Sequence, residues 1–217
     1  MSGYQAAHYT EITDVNDGRV PMRAVRHHFG ITTFGVNTFT GPEAGDRLIN
    51  EHDEADLNKE ELYLVLEGRA RFELDGEELD APAGTFVYVE PEVKRTAFAE
   101  EAGTTLVAVG GGAPGQPYEV EGWEIWSPMM NLFRAGRYAE AADWVLEHLG
   151  REDMPSSAVV YYNLACAESL AGRKADALAH LRLAFEADPR SRTYVEGDSD
   201  LDPLRDEPEF KELMEAS

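Results

Sequence analysis

The sequence from residue 61 to residue 84, ELYLVLEGRARFELDGEELDAPAG, has the pattern of a β-hairpin. Apolar and charged residues alternate from Arg69 to Leu74, as in a strand with one face in a core and the other in water. Asp75 and Gly76 follow directly, and they predict a tight turn because glycine accepts a positive φ at little cost. This stretch therefore predicts two paired strands within a β-rich domain.

Further strands flank this hairpin on both sides. Stretches rich in β-branched and aromatic residues are typical of strands, and they occupy residues 31–39, 62–66, 85–89 and 104–109. Short strands separated by glycine and proline turns predict a sandwich or a barrel. We therefore expect residues 1–112 to form an antiparallel β-domain.

Two spacings in this region are similar to the sequence motifs of cupins. Cupins carry a glutamate and, after six residues, a glycine; a later motif opens with a glycine, five residues, a proline, one residue and a second glycine. The chain has both spacings, over residues 61–68 and 76–84. The resemblance covers roughly the first half of the chain. It implies that residues 1–112 form a cupin-type antiparallel β-barrel, the double-stranded β-helix.

The resemblance implies a cupin metal site only in part, since metal-binding cupins usually supply three histidines and one glutamate. Glu61 stands at the position of the glutamate. Glu54 and Asp56, or Ala55 and Leu57, replace the histidine pair, and with a longer loop His52 and Glu54 do. The third position falls on Arg95 or on Thr96; the guanidinium of Arg95 has a fixed positive charge and no lone pair to donate. We therefore expect no metal or other cofactor; the alternative is a divalent transition metal held by His52, Glu54 and Glu61.

The interior of the predicted barrel has two compatible interpretations. In the first, Glu61 and Arg95 form an internal ion pair, because a paired buried charge is tolerated and an isolated one is not. In the second, Arg95 holds an anionic small molecule by a bidentate contact. The candidate residues of that ligand pocket are Glu61, Arg95, Tyr63 and Tyr88.

The second half of the chain has the period of helices, after a glycine- and proline-rich linker predicted at residues 113–127. Small, apolar and turn residues recur with a regular spacing between residues 158 and 191: they are Tyr161, Leu164, Ala165, Ala177, Leu181, Ala184 and Pro189. This spacing resembles a tetratricopeptide repeat, with a departure at Glu168, where an aromatic residue is usual. The resemblance implies an all-α, tetratricopeptide-like helical repeat domain over residues 128–217.

The charge of the chain excludes two classes of partner. It carries 19 Lys and Arg against 42 Asp and Glu, a net charge of −23, which repels nucleic acid and anionic membranes. The single cysteine, Cys166, excludes an intramolecular disulfide. No apolar run is long enough to span a bilayer, and the first residues lack a secretory signal pattern. We therefore expect a cytoplasmic protein.

The sequence does not specify a reaction. It contains no glycine-rich phosphate loop, no nucleophile elbow and no paired-cysteine zinc motif. We expect a non-catalytic small-molecule-binding or sensing barrel, whose helical domain binds a protein partner or supports a dimer. The alternative is a metal-dependent cupin enzyme of the isomerase or dioxygenase type, and a third hypothesis is a structural scaffold. The resemblance to cupins also implies a homodimer that pairs through barrel strands.

Overall fold

The structure is a computed structural model, and it describes residues 4–15, 20–116, 118, 124, 126–151, 154 and 156–215. The chain forms two compact units, Met1–Glu124 and Ile125–Ser217. The first unit is built mainly from strands and the second from helices. The boundary between them falls inside the linker that the sequence predicts.

Strands and one short helix form the described part of the first unit. The strands are β1 (Asp14–Val15), β2 (Met22–Arg23), β3 (Gly35–Gly41), β4 (Arg47–His52), β5 (Glu61–Glu67), β6 (Arg69–Leu74), β7 (Glu77–Pro82), β8 (Phe86–Val89), β9 (Arg95–Ala99) and β10 (Thr104–Gly110). Helix α1 (Val25–Phe29) lies between β2 and β3, and a 3-10 turn spans Tyr9–Glu11. The β-rich class predicted for this half of the chain is confirmed.

The strands form two antiparallel sheets. The first has the order β1-β2-β3-β10-β5-β8, and the second has the order β4-β9-β6-β7. The predicted hairpin is present: β6 pairs with β7, and Asp75 and Gly76 between them both have positive φ. No strand pairing joins the two sheets within the described residues, so the hydrogen bonds of this β-domain form two open sheets and not a closed barrel.

The chain crosses between the sheets at the two glycines that end the predicted cupin spacings. Gly68 lies between β5 of the first sheet and β6 of the second, and Gly84 lies between β7 and β8 on the way back. Their φ angles are +73° and +88°, in the region that favours glycine. A Cβ at Gly68 would also meet the Cα of Thr104 at 2.8 Å. The first crossing therefore requires glycine for two reasons.

The core of the first unit lies between the two sheets. Ala70 and Phe72 on β6 are fully buried, as the alternation in the sequence predicts. The ring of Phe72 packs against Tyr63 on β5, with 5.6 Å between the ring centroids. Because burial of a large apolar side chain contributes about 1.5–3 kcal/mol, contacts of this kind hold the sheets together and fix which strand faces point inward.

The second unit is helical, as the sequence predicts. Its helices are α2 (Met130–Arg134), α3 (Tyr138–His148), α4 (Ala158–Leu170), α5 (Lys174–Ala187) and α6 (Pro208–Glu215), with 3-10 segments at Ser127–Met129, Pro189–Gly197 and Ser199–Leu204. The small residues of the repeat-like spacing, Ala165, Ala177 and Ala184, are all fully buried. No helix among the described residues has both the length and the apolar character needed to cross a membrane.

Glu168, where the sequence departs from the tetratricopeptide pattern, has a polar partner in the core of the second unit. Its side chain is buried on α4, and its Oε2 lies 2.7 Å from Nδ1 of His180 on α5. The hydrogen bond to Glu168 raises the pKa of His180, against the effect of partial burial. A hydrogen-bonded polar pair thus occupies the position where the repeat pattern usually places an aromatic side chain.

Candidate functional site

The first unit contains a cavity of about 490 Å³, within the usual size range of sites for small ligands. Its wall includes residues of both sheets and of the segment that follows β10. Polar side chains on this wall include Asn37, His52, Glu54, Glu61, Tyr118 and Glu124. Three of them, His52, Glu54 and Glu61, are candidate residues from the sequence.

Glu61 is the point at which the two sheets meet on the cavity wall. It is the first residue of β5, on the same inner face as Tyr63, whose hydroxyl donates to Glu61 Oε2. On the second sheet, His52 of β4 pairs in register with Arg95 of β9. The Oε2 atom of Glu61 lies 3.4 Å from His52 Nε2 and 3.3 Å from Arg95 Nε. Three side chains thus converge on one carboxylate oxygen.

These contacts determine the charge state of the site. Burial raises the pKa of Glu61, but the hydrogen bonds from His52 and Tyr63 and the charge of Arg95 outweigh it, so the pKa lies below its ordinary value. The pKa of Tyr63 lies well above its ordinary value, first because the side chain is buried and then because Glu61 is beside it. At neutral pH, Glu61 is therefore an anion and Tyr63 a neutral hydrogen-bond donor.

Arg95 contacts Glu61, as the sequence analysis expects, but it is not on the cavity wall. Its side chain is fully buried behind Glu61, and its Nη2 donates to the carbonyl of Glu90 at 3.0 Å. Its Nη1 has no hydrogen-bond partner among the described residues. The positive charge that the sequence assigned to an anionic ligand is thus placed against Glu61.

Tyr88 lies outside the cavity. Alternation along β8 buries Val87 and Val89, which turns Tyr88 to the opposite face, where it is 54% exposed. Its hydroxyl donates to Glu60 Oε1 at 2.6 Å. Of the four pocket candidates, Glu61 and Tyr63 line the cavity, Arg95 supports it from behind, and Tyr88 belongs to the outer surface.

The alternative metal ligands come together on the cavity wall. His52, Glu54 and Glu61 each offer a ligand atom, and these atoms lie within 4.8 Å of one another. Nδ1 of His52 lies 2.8 Å from the carbonyl of Asn50, which can only accept, so Nδ1 carries a proton. The hydrogen bond to Glu61 raises the pKa of His52 above its ordinary value, and a metal would have to displace the proton on Nε2. One imidazole and two carboxylates suit a divalent transition metal, whereas the charge of Arg95 beside Glu61 opposes one.

A second ion pair at this cavity was missed in the sequence. Arg26, on α1, is fully buried, and its Nε lies 3.4 Å from Oε1 of Glu124. Asn37 donates to the same oxygen at 3.2 Å, and the Tyr118 hydroxyl donates to Oε2 of Glu124. Tyr118 and Glu124 lie within the predicted linker. The glutamates and aromatic residues of this glycine- and proline-rich segment were the only sequence signal that it contributes to a site.

The known structures that resemble this chain match about half of it. No protein-family model matches the chain, and no curated protein does. Similar solved structures include a cupin protein from Bacteroides fragilis (20% identity, 55% of this chain, 93% of that chain, TM-score 0.40). They also include an RmlC-like cupin from Desulfovibrio desulfuricans (21%, 50%, 96%, 0.42) and Streptomyces PAC13 with uridine (17%, 52%, 84%, 0.40). These structures resemble about half of the chain.

Proposed function

We propose that the first unit is a cupin-type domain that binds a small molecule in the cavity beside Glu61 without transforming it. The observation that carries this proposal is the cavity itself, whose polar wall is already ordered by ion pairs and hydrogen bonds around Glu61. Ligand groups that are held in place before binding reduce the entropy lost on association.

The cupin-type assignment has its support in the chain path. A double-stranded β-helix needs a chain that passes repeatedly between two facing antiparallel sheets, and here it passes at Gly68 and returns at Gly84. These are the glycines that end the two cupin-like spacings. The motif residues therefore have a structural role that is independent of any metal.

The titration behaviour of the wall favours binding over catalysis. General acid–base chemistry is most efficient when a group has a pKa near the working pH. The pKa of Glu61 lies below its ordinary value and that of Tyr63 lies above it, so both are moved away from neutrality. Fixed ionisation states of these two groups suit a site whose task is recognition. The pKa of His52 on the same wall is raised from its ordinary value by the hydrogen bond to Glu61, and this shift favours the catalytic alternative.

A metal-dependent enzyme of the isomerase or dioxygenase type is the second candidate, and the convergence of His52, Glu54 and Glu61 favours it. A divalent metal there would act as a Lewis acid on a bound oxygen. The hydrogen bond of His52 to the Asn50 carbonyl is the kind of contact that orients metal-binding histidines. Glu61 would then be shared between the metal and Arg95.

Binding measurements on the full chain separate these two candidates. We expect ligands found by saturation-transfer NMR with a small-molecule fragment set to bind equally well with and without EDTA. Tyr63→Phe should weaken them about tenfold, because a hydrogen bond to a charged group contributes about 1.5–3 kcal/mol. Tyr4→Phe, on a 79% exposed side chain, is the matched control.

The metal arm of the same experiment uses calorimetric titration with Mn²⁺ and Zn²⁺. Binding of one ion per chain that is lost in Glu54→Gln and retained in the exposed control Glu77→Gln would place the enzyme hypothesis first. If neither fragments nor metals bind at the cavity, the proposed function is wrong.

The second unit is, in the same proposal, a tetratricopeptide-like domain that contacts a protein partner. The pairing of α4 with α5 through buried small residues, and Gly172 at the turn between them, support this assignment. Exposed apolar side chains on these helices, Val159 and Leu183, are available for such a contact.

A homodimer through the outer face of the first sheet completes the proposal. Leu62 pairs with Tyr88 and Leu64 with Phe86 in the register of β5 and the edge strand β8. Phe86 is 65% exposed, and the four side chains carry no charge themselves on a chain whose net charge is −23, although Tyr88 donates to the carboxylate of Glu60 at the edge of this face. Two copies of such an acidic chain meet with least repulsion on an uncharged face.

Light scattering at micromolar concentration tests the dimer. The unmodified chain is expected to have twice the mass of one copy, and Phe86→Lys should halve it, because each copy would then bring an uncompensated charge into the interface. Tyr4→Lys, outside the patch, should leave the dimer intact. A monomeric unmodified chain would contradict this part of the proposal.

A further inference from the structure

Two carboxylates on the cavity wall are built in the same way. Glu61 lies against the buried guanidinium of Arg95 and accepts a hydrogen bond from Tyr63. Glu124 lies against the buried guanidinium of Arg26 and accepts from Tyr118. Each carboxylate is therefore fixed in position by an arginine and a tyrosine, although the two come from distant parts of the sequence.

Each carboxylate on the cavity wall lies against a basic side chain. Glu51 lies against Lys94, Glu54 against His52, Glu61 against His52 and Arg95, and Glu124 against Arg26. Lys94 pairs with Glu51 at 2.6 Å, so this carboxylate also has a counterion. A charged ligand would lose its hydration without meeting an uncompensated opposite charge, which is unfavourable. This pairing favours a neutral ligand.

The wall offers mainly hydrogen-bond acceptors. The described contacts of Glu61 all fall on Oε2, which leaves Oε1 able to accept from a ligand. The hydroxyl hydrogens of Tyr63 and Tyr118 are already donated, so their oxygens can accept. Asn37, which is 5% exposed, uses its amide nitrogen on Glu124 and keeps its amide oxygen as an acceptor. A ligand that satisfies this wall must supply several donors.

Apolar side chains complete the wall. Phe39 and Ile49 line the cavity beside the ring of Tyr63, so one side of the ligand meets carbon surface. Hydroxyl groups that donate to carboxylates form charge-assisted hydrogen bonds, and the C–H face of a sugar ring fits an apolar patch. A volume of about 490 Å³ accommodates a molecule of this size.

We infer that the cavity binds a neutral polyhydroxylated molecule of monosaccharide size, held between the arginine-backed carboxylates Glu61 and Glu124. This inference rests on the proposed function of the cavity. It replaces the anionic ligand expected for Arg95 with a ligand class that the paired charges of the wall accept.

The test uses sugars of one ring configuration in which a single hydroxyl or hydroxymethyl group is replaced by a charged group. Saturation-transfer NMR and calorimetry on the full chain would compare a set of neutral hexoses and pentoses with the hexosamines and uronic acids of the same configuration. At least one neutral sugar is expected to bind about tenfold or more tighter than its amino and carboxylate counterparts. Tyr118→Phe should weaken that binding by severalfold, and Tyr4→Phe should leave it unchanged.

The outcomes distinguish this inference from the proposed function. Equal or tighter binding of a charged sugar would overturn the neutral-ligand inference and leave the cavity a binding site. If no sugar binds while a fragment binds in a manner that depends on Tyr63, the ligand class is wrong but the site stands. If Tyr118→Phe leaves the binding of a neutral sugar unchanged, the neutral-ligand inference is also overturned, because Glu124, which Tyr118 holds in place, would then not contact the sugar.

Discussion

Gly68→Ala is expected to lower the free energy of unfolding by about 2–5 kcal/mol. Alanine in this left-handed conformation costs about 1–2 kcal/mol, and its Cβ would meet Thr104 Cα at 2.8 Å and Oγ1 at 2.5 Å. The Thr104 hydroxyl cannot simply turn away, because it donates to the carbonyls of Arg69 and Glu101. The backbone at the crossing between the sheets must therefore shift.

The chain provides its own matched control at the second crossing. A Cβ at Gly84 has no heavy atom within 4 Å, so Gly84→Ala should cost only the conformational part, about 1–2 kcal/mol. Urea unfolding of both variants, compared at unchanged m-values, measures the difference. Equal losses would show that the contact with Thr104 relaxes without cost and that the crossing at Gly68 needs glycine for its φ alone.

Arg95→Met is expected to destabilise the chain by about 3–5 kcal/mol, because removing one partner of a buried pair leaves the other charge uncompensated. The lower end of that range is the better expectation here, since Glu61 is 18% exposed and keeps its contacts with His52 and Tyr63. Arg69→Met removes a surface pair with Asp80 and should cost far less, because an exposed ion pair contributes little to stability.

The double variant Arg95→Met with Glu61→Met shows whether the ion pair stabilises the fold through the contact between its two partners. If the two side chains stabilise mainly each other, the double variant should be more stable than Arg95→Met alone, since no charge is left unpaired. Chemical unfolding of the four proteins in this cycle gives the coupling free energy. Additive losses would mean that Arg95 acts through its hydrogen bond to Glu90 or through packing, and the ion pair would lose its structural role.

Sequence patterns predicted the fold best where polar and apolar residues alternate. The charged residues of β6 mark its outer face, and Ala70 and Phe72 are buried as expected. On β8 both faces carry apolar or aromatic residues, so no charged residue shows which face is exposed. The prediction that Tyr88 lines the pocket was therefore wrong, and its side chain faces solvent. The face of a strand can be predicted only when its two sides differ in polarity.

The candidate site was predictable to the extent that it lies on motif positions. The contact of Glu61 with Arg95 followed from the cupin-like spacing, and the grouping of His52, Glu54 and Glu61 from its longer-loop alternative. Arg26 and Glu124 lie far apart in the sequence. Neither belongs to a periodic pattern, and a contact of this kind is set by the folded chain path and not by local propensity.

The position of Glu124 determines where this chain can be divided. A fragment that ends at residue 112, the end of the β-domain predicted from the sequence, would lack Tyr118 and Glu124 and would leave Arg26 with a buried, unmatched charge. One side of the cavity would be missing from such a fragment. Any transplantation of the binding site to another scaffold, or its exchange with a relative, must therefore carry residues through Glu124 as part of the β-domain.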